Sequence, residues 1–245
     1  MSNDVNNPTS KKDAKAQLRK ERRRKQKQKQ QLRSLMFIVI GALIIAAAFI
    51  ATSNQPVTGL VEPELRAHPL VNFNAMGKDN APVVIEEIAD MQCPACLNYF
   101  ESIETALLNS ELIEAGLVRY VYRSAGAFLG PESATAARAS YCAGDQEKFW
   151  EMHDVIYANF SNGNRGGYTT KRLVAMAELI GADGDEMQAC MDSDKYADLV
   201  EEDALYAQTV GIPGTPSLVI NGELYEGGMN FQEIQYHIQS ILGSN

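Results

Sequence analysis

Hydrophobic and polar positions give this chain three different rhythms. Residues 1–33 are polar and charged, with no apolar period. Residues 35–51, LMFIVIGALIIAAAFIA, carry neither a charge nor a strongly polar group. Beyond residue 80, apolar positions switch between period two and helical spacing. Val83, Val84, Ile85, Ile88 and Ala89 predict a strand, and residues 97–108 a helix. Alternation over 117–123 predicts a second strand after Gly116. A helical run follows from Pro131, rich in alanine. Phe149, Trp150, Met152, Val155, Ile156 and Phe160 then recur at helical spacing. That stripe reads as core rather than a cofactor box, and His153 beside it as a helix residue rather than a ligand. Residues 161–167 read as a flexible loop. Helices are expected over 170–180, 184–191 and 195–210, with Glu201, Glu202 and Asp203 on a solvated face. Strands at 217–221 and 224–225 meet across Asn221-Gly222, a hairpin signal, and a final helix at 231–242 covers the sheet. Pro56, Gly59, Pro63 and Pro69 make 54–75 a linker, gaining a short edge strand near 70–73. No internal repeat is evident.

Charge sharpens these divisions. The 245 residues have a net charge of −9, but residues 1–33 hold twelve Lys/Arg against three Asp/Glu. The remainder is therefore strongly acidic, a poor binder of polyanions, and no nucleic-acid partner is expected. The seventeen apolar residues span about 26 Å as a helix, enough for a hydrocarbon core with help from Ser34, Thr52 and Ser53. The basic cluster before them places that end in the cytoplasm and exports the rest. The expected organisation is a basic tail (1–34) touching anionic lipid, a transmembrane signal anchor (35–53), the linker, and one exported domain (76–245). A cleavable signal peptide is the rival, with Ala51 and Ser53 as small residues before a cut. The apolar run exceeds the usual length of such a peptide, and the basic segment is long.

The chemistry concentrates at Cys93-Pro94-Ala95-Cys96, between the first strand and its helix. This placement sets the first sulfur at a helix N-terminus, where free N–H groups and the dipole favour an anion. Thiolates in such positions ionise readily and are nucleophiles. Zinc is the alternative for a CxxC pair, but structural zinc takes four Cys or His ligands. Cys142 and Cys190 stand alone and His68, His153 and His237 are scattered, so no metal is expected. Glu87 shares a strand face with Val83 and Ile85. It is either a buried acid under the cysteines, able to move the inner sulfur's proton, or a carboxylate at the strand's solvent edge. In an exported domain disulfides persist. Cys142 and Cys190 are then either a structural disulfide or two buried thiols.

Several motifs together carry a resemblance: Gly77-Lys78-Asp79-Asn80-Ala81-Pro82-Val83, the strand and CPAC pair, Gly214-Thr215-Pro216 before a strand, and Asn221-Gly222. In order and spacing they resemble the DsbA-like branch of the thioredoxin superfamily, over about residues 76 to 243. The resemblance implies an α/β thioredoxin fold with a helical insertion (about 126–210), preceded here by one transmembrane helix. It implies attack by Cys93, resolution by Cys96, and a cis-proline, Pro216, facing the pair. Thr215 would pair its backbone with a bound substrate strand, and Glu87 matches the family's buried acid. Strongly oxidising members carry a histidine between the cysteines, whereas this chain has Pro94-Ala95. The implied activity is oxidation of folding exported proteins, without a bound cofactor. A quinone-linked membrane partner, DsbB-like or VKOR-like, would re-oxidise the pair. The alternatives are a disulfide reductase or isomerase, as in cytochrome maturation, and a non-catalytic binding module on the same scaffold.

Overall fold

The computed structural model describes residues 8–53, 55–64 and 66–244. They form two compact units, one ending at Pro56 and one starting at Val57. The first contains a single helix, α1 (Pro8–Ser53), so the basic stretch and the apolar run are continuous. Within it, Lys15–Phe49 is long and apolar enough to cross a membrane, with none of the apolar window buried in protein. Leu35, Phe37, Ile38 and Leu43 are exposed. Such a surface is stable in hydrocarbon and costly in water.

In the second unit, β3 (Val83–Ala89) and β4 (Val118–Ser124) run parallel, from Val83 opposite Val118 to Ala89 opposite Ser124. Their crossover carries α2 (Pro94–Tyr99), a π-helical turn (Phe100–Glu104) and α3 (Thr105–Leu108). The hydroxyl of Thr105 donates to the carbonyl of Phe100, five residues back. This widened turn buries both Ile103 and Glu104. Five helices stand between β4 and the next strand: α4 (Pro131–Gly144), α5 (Phe149–Ala158), α6 (Thr170–Leu179), α7 (Gly184–Asp192) and α8 (Ala197–Val210). The chain then returns as β5 (Ser217–Ile220), antiparallel to β3, and turns into β6 (Glu223–Leu224). Asn221 and Gly222 both take positive φ, 51° and 85°, the backbone that matches a two-residue hairpin to strand twist. Helix α9 (Phe231–Gly243) follows, burying Ile234 and Ile238.

On the far edge, β1 (Val71–Asn72) and β2 (Ala75–Met76) complete a six-stranded sheet ordered β1-β2-β4-β3-β5-β6. Gly77 closes this edge at φ +95°, and a Cβ there would lie 2.3 Å from the carbonyl oxygen of Val118. Gly77→Ala is therefore expected to cost roughly 1–3 kcal/mol in urea unfolding. An unchanged midpoint would show that the edge relaxes freely.

The core lies between sheet and insertion. Phe149, Trp150, Met152, Val155 and Ile156 are all at most 1% exposed, which makes the helical stripe interior packing. Asp203 corrects the expectation of a solvated acidic face, since it is 2% exposed. Its carboxylate accepts from Arg123 (2.9 Å), from the backbone of Ser124 (3.2 Å) and from the hydroxyl of Tyr141. These bonds join α8 to β4 and α4, and they compensate its burial. Residues 57–64 and 66–68, within the expected linker, lie against the domain. The side chain of Asn159 receives the N–H of Val61 at 2.8 Å and donates to its carbonyl at 2.7 Å. Cys142 on α4 and Cys190 on α7 are joined by a disulfide, with 5.9 Å between their Cα atoms.

Candidate functional site

Strand β3 ends in a tight turn that aims the first cysteine at the start of α2. The N–H of Cys93 donates to the carbonyl of Asp90 at 2.9 Å. The Asp90 carboxylate accepts from the N–H of Gln92 (2.7 Å) and from that of Leu129 (2.9 Å), tying the turn to the insertion's entry. Burial pushes the Asp90 carboxyl up from its ordinary value, and those bonds pull it back. Gln92 in turn accepts from Ser133 at the base of α4, at 3.0 Å. Cys93 itself has an extended backbone and caps α2, with Pro94 in the first turn where no N–H is needed. Pro94 and Ala95 are exposed.

The two sulfurs differ in setting. Cys93 keeps 8% exposure and Cys96 none. Exposure at Cys93 is narrower than a helix N-terminus alone would give, because Thr215 lies across it. The Cys93 thiol reaches the carbonyl oxygen of Thr215 at 3.3 Å, and the Thr215–Pro216 peptide is cis. Both residues of that pair are half-buried, so the loop before β5 meets the helix start along one edge. Burial, and next the charge of Glu87, push the Cys96 thiol far up, so it keeps its proton at neutral pH. One sulfur at the surface edge and one protonated sulfur beneath it are the parts that thiol–disulfide exchange requires.

Glu87 lies on the inner face of β3, 1% exposed, and receives the hydroxyl of Tyr120 at 2.5 Å. Glu86 takes the opposite face, bonded to Arg123 at 2.5 Å and Tyr206 at 2.6 Å. Burial first, then the charge of Glu104, raise the Glu87 carboxyl well above 4.5; the Tyr120 bond and Arg66 act against them. A raised value means that the folded state holds the proton more tightly than the unfolded chain. Stability from this group is complete below about 4.5 and falls as pH climbs through the raised value. Glu87→Gln is therefore expected to flatten the decline of unfolding free energy as pH rises above about 4.5. Parallel urea titrations of both proteins measure it, and identical slopes would exclude this source.

Three groups near the site were not legible as such in the sequence: Arg66, Glu104 and Asp90. Arg66 sits in a stretch that reads as linker, yet its guanidinium bonds Glu104 (2.5 Å) and Asp154 (3.0 Å) and lies 4.0 Å over the ring of Phe100. Glu104 lies four residues after Phe100 and three before Leu107, a spacing that does not tell a buried carboxylate from one at the rim of the core; in the π turn it is fully buried. Among the described residues, Glu87, Glu104 and His153 bring ligand-type atoms within 4.8 Å of one another. Tyr120 and Arg66 already engage two of those carboxylate oxygens.

Comparison with known proteins agrees with this geometry. The Thioredoxin family model matches residues 72–240. A Na(+)/H(+) antiporter NhaA 1 from Salinispora arenicola is 29% identical over 68% of this chain. The chain spans 24% of that antiporter's length. Disulfide bond formation protein D from Bacillus subtilis is 26% identical, over 77% of this chain and 82% of its own. The crystal structure of oxidised BdbD from Bacillus subtilis superposes with a TM-score of 0.62 at 24% identity, covering 78% of this chain and all of that one.

Proposed function

Because the chain belongs to the thioredoxin family, on its DsbA-like branch, we propose that it is a thiol:disulfide oxidoreductase that introduces disulfides into exported proteins. The observation that carries this reading is the asymmetric pair: Cys93 at the surface edge against Thr215, Cys96 enclosed behind it. In the oxidised enzyme a substrate thiolate attacks Cys93, and its electron pair displaces Cys96 from the disulfide. A second substrate thiolate attacks the substrate sulfur of this mixed disulfide, releasing Cys93 and leaving the substrate oxidised. In the reverse flow Cys93 attacks a substrate disulfide and Cys96 displaces the substrate thiolate. Glu87 is the acid that takes or returns the proton of Cys96. The carbonyl and N–H of Thr215, beside Pro216, pair with the extended substrate backbone.

The apolar part of α1 anchors the enzyme in the cytoplasmic membrane with its basic end inside, on anionic lipid, and the catalytic domain outside. Re-oxidation falls to a quinone-linked membrane enzyme of the DsbB or VKOR type. Equilibrating the purified protein with reduced and oxidised glutathione tests the direction. A potential well above that of thioredoxin, about −270 mV, supports the oxidase. A potential near or below that figure assigns the pair to reduction instead. Glu87→Gln is expected to slow displacement by Cys96 by about 100-fold, the lower end of general acid–base contributions. Quenched-flow measurement of product release from a preformed mixed disulfide reads that step.

A further inference from the structure

Behind the CPAC helix three buried carboxylates surround one guanidinium. Glu87, Glu104 and Asp154 are 1%, 0% and 3% exposed. Arg66 bridges Glu104 and Asp154, the latter through two nitrogens at 3.0 and 2.5 Å. An excess of negative charge in an interior raises its affinity for a proton. Two atoms mark where one can be received. Oε2 of Glu104 and Nε2 of His153 are buried without a hydrogen-bond partner, and they face each other at 3.7 Å.

The other ring nitrogen, Nδ1, lies 3.3 Å from Oδ1 of Asp154. Burial opposes the charge of Asp154, but bonds from His153, His68 and Arg66 outweigh it and hold the carboxyl below its usual range. Asp154 thus remains an acceptor, which makes Nδ1 the ring N–H that it receives. Nε2 is then left facing Oε2 of Glu104 with no donor between them. Two facing acceptors in a dry interior form a vacant proton site, filled when the redox step supplies a proton.

The surrounding elements supply no such charge. Tyr99 from α2, Tyr120 and Tyr122 from β4, and Tyr157 from α5 are each held well above the usual phenol value by burial first. Nε2 of His68, also buried, faces the other oxygen of Asp154, Oδ2, at 3.1 Å. A divalent cation would sit beside the Arg66 guanidinium, which disfavours it.

We propose that Glu104 and His153 form a buried proton store that exchanges with Cys96 through Glu87. The inference rests on the oxidoreductase reading and adds to it where the proton goes. When Cys96 attacks a mixed disulfide, its S–H bond breaks and an O–H forms on Glu87. The proton that Glu87 already carried passes to Glu104 and joins the ring at Nε2, giving an imidazolium paired with Asp154. When Cys96 leaves its disulfide as a thiolate, the proton returns by the same route. No electrons move along it, and Glu104 and His153 act only through Glu87.

Glu104→Gln and His153→Gln test the store in the full-length protein. Release of a glutathione mixed disulfide by Cys96 is expected to slow about tenfold in each, most at low pH, while formation of that disulfide at Cys93 serves as the internal control. In the wild type, infrared difference spectra between reduced and oxidised protein should show imidazolium ring bands in the state with Cys96 oxidised. This second measurement needs no folded variant. Release rates and pH profiles like the wild type in both variants, with no redox-dependent imidazolium band, would overturn the proposal. So would equal slowing of both steps, or stoichiometric zinc lost on Glu104→Gln. Wild-type protein that exchanges no thiols would instead sink the oxidoreductase reading itself.

Discussion

Cys93→Ser is expected to lose all thiol–disulfide exchange, and Cys96→Ala to accumulate covalent adducts. The difference follows from where the sulfurs sit. Only Cys93 has any exposed edge, 8% against none for Cys96, so only Cys93 can form the first bond with a partner. A serine hydroxyl is not ionised near neutral pH and is no nucleophile for a disulfide. Cys96→Ala leaves the first attack intact and removes the group that displaces the substrate in reductive turnover. Mixed disulfides with client proteins then persist and appear on non-reducing gels. Refolding of a reduced model substrate measures the first loss directly. Full function in Cys93→Ser would make the protein a binding module on this scaffold, and the proposed activity would fall.

Replacing both Cys142 and Cys190 by alanine is expected to cost about 4 kcal/mol of stability, from the loop entropy of a bridge closing 48 residues. For a domain of this size that corresponds to a fall of about 8–16 °C in Tm. The bridge joins α4 to α7, on the helical insertion rather than at the sheet. Loss of the bridge should therefore loosen the insertion while the strand pairing of β3 and β4 persists. Hydrogen exchange would read faster opening in α7 than in β3. A variant with unchanged Tm would mean that the packing around Cys142, itself 2% exposed, already holds these helices together.

Local rules carried far along this chain. The hairpin at Asn221-Gly222 was legible because Asn-Gly is one of the few dipeptides that take the required positive φ at both positions cheaply. The helical stripe around Trp150 was legible because 3.6-residue spacing writes burial directly into the sequence. Glu87 was legible only as two options, since a Glu-Glu pair in a strand puts one carboxylate on each face. Register decided it: Glu87 lies opposite Tyr122 on β4 and Leu218 on β5, in the middle of the sheet. Asp203 was misread because its partners, Arg123 and Tyr141, are 80 and 62 residues away. Nothing in an acidic triplet announces such partners.

By itself the sequence determined the central strands and most of the helices, the uncharged span of 35–51, and the pairing of two cysteines with a helix start. These follow from spacing, composition and turn chemistry, which act between neighbours. Tertiary structure alone decided that Cys93 is screened by Thr215, that Glu104 turns inward, and that Arg66 and His153 meet there. Those facts depend on segments far apart in sequence sharing one desolvated volume. In that volume every charge must find its counterpart, and the chain order does not state which one it will be.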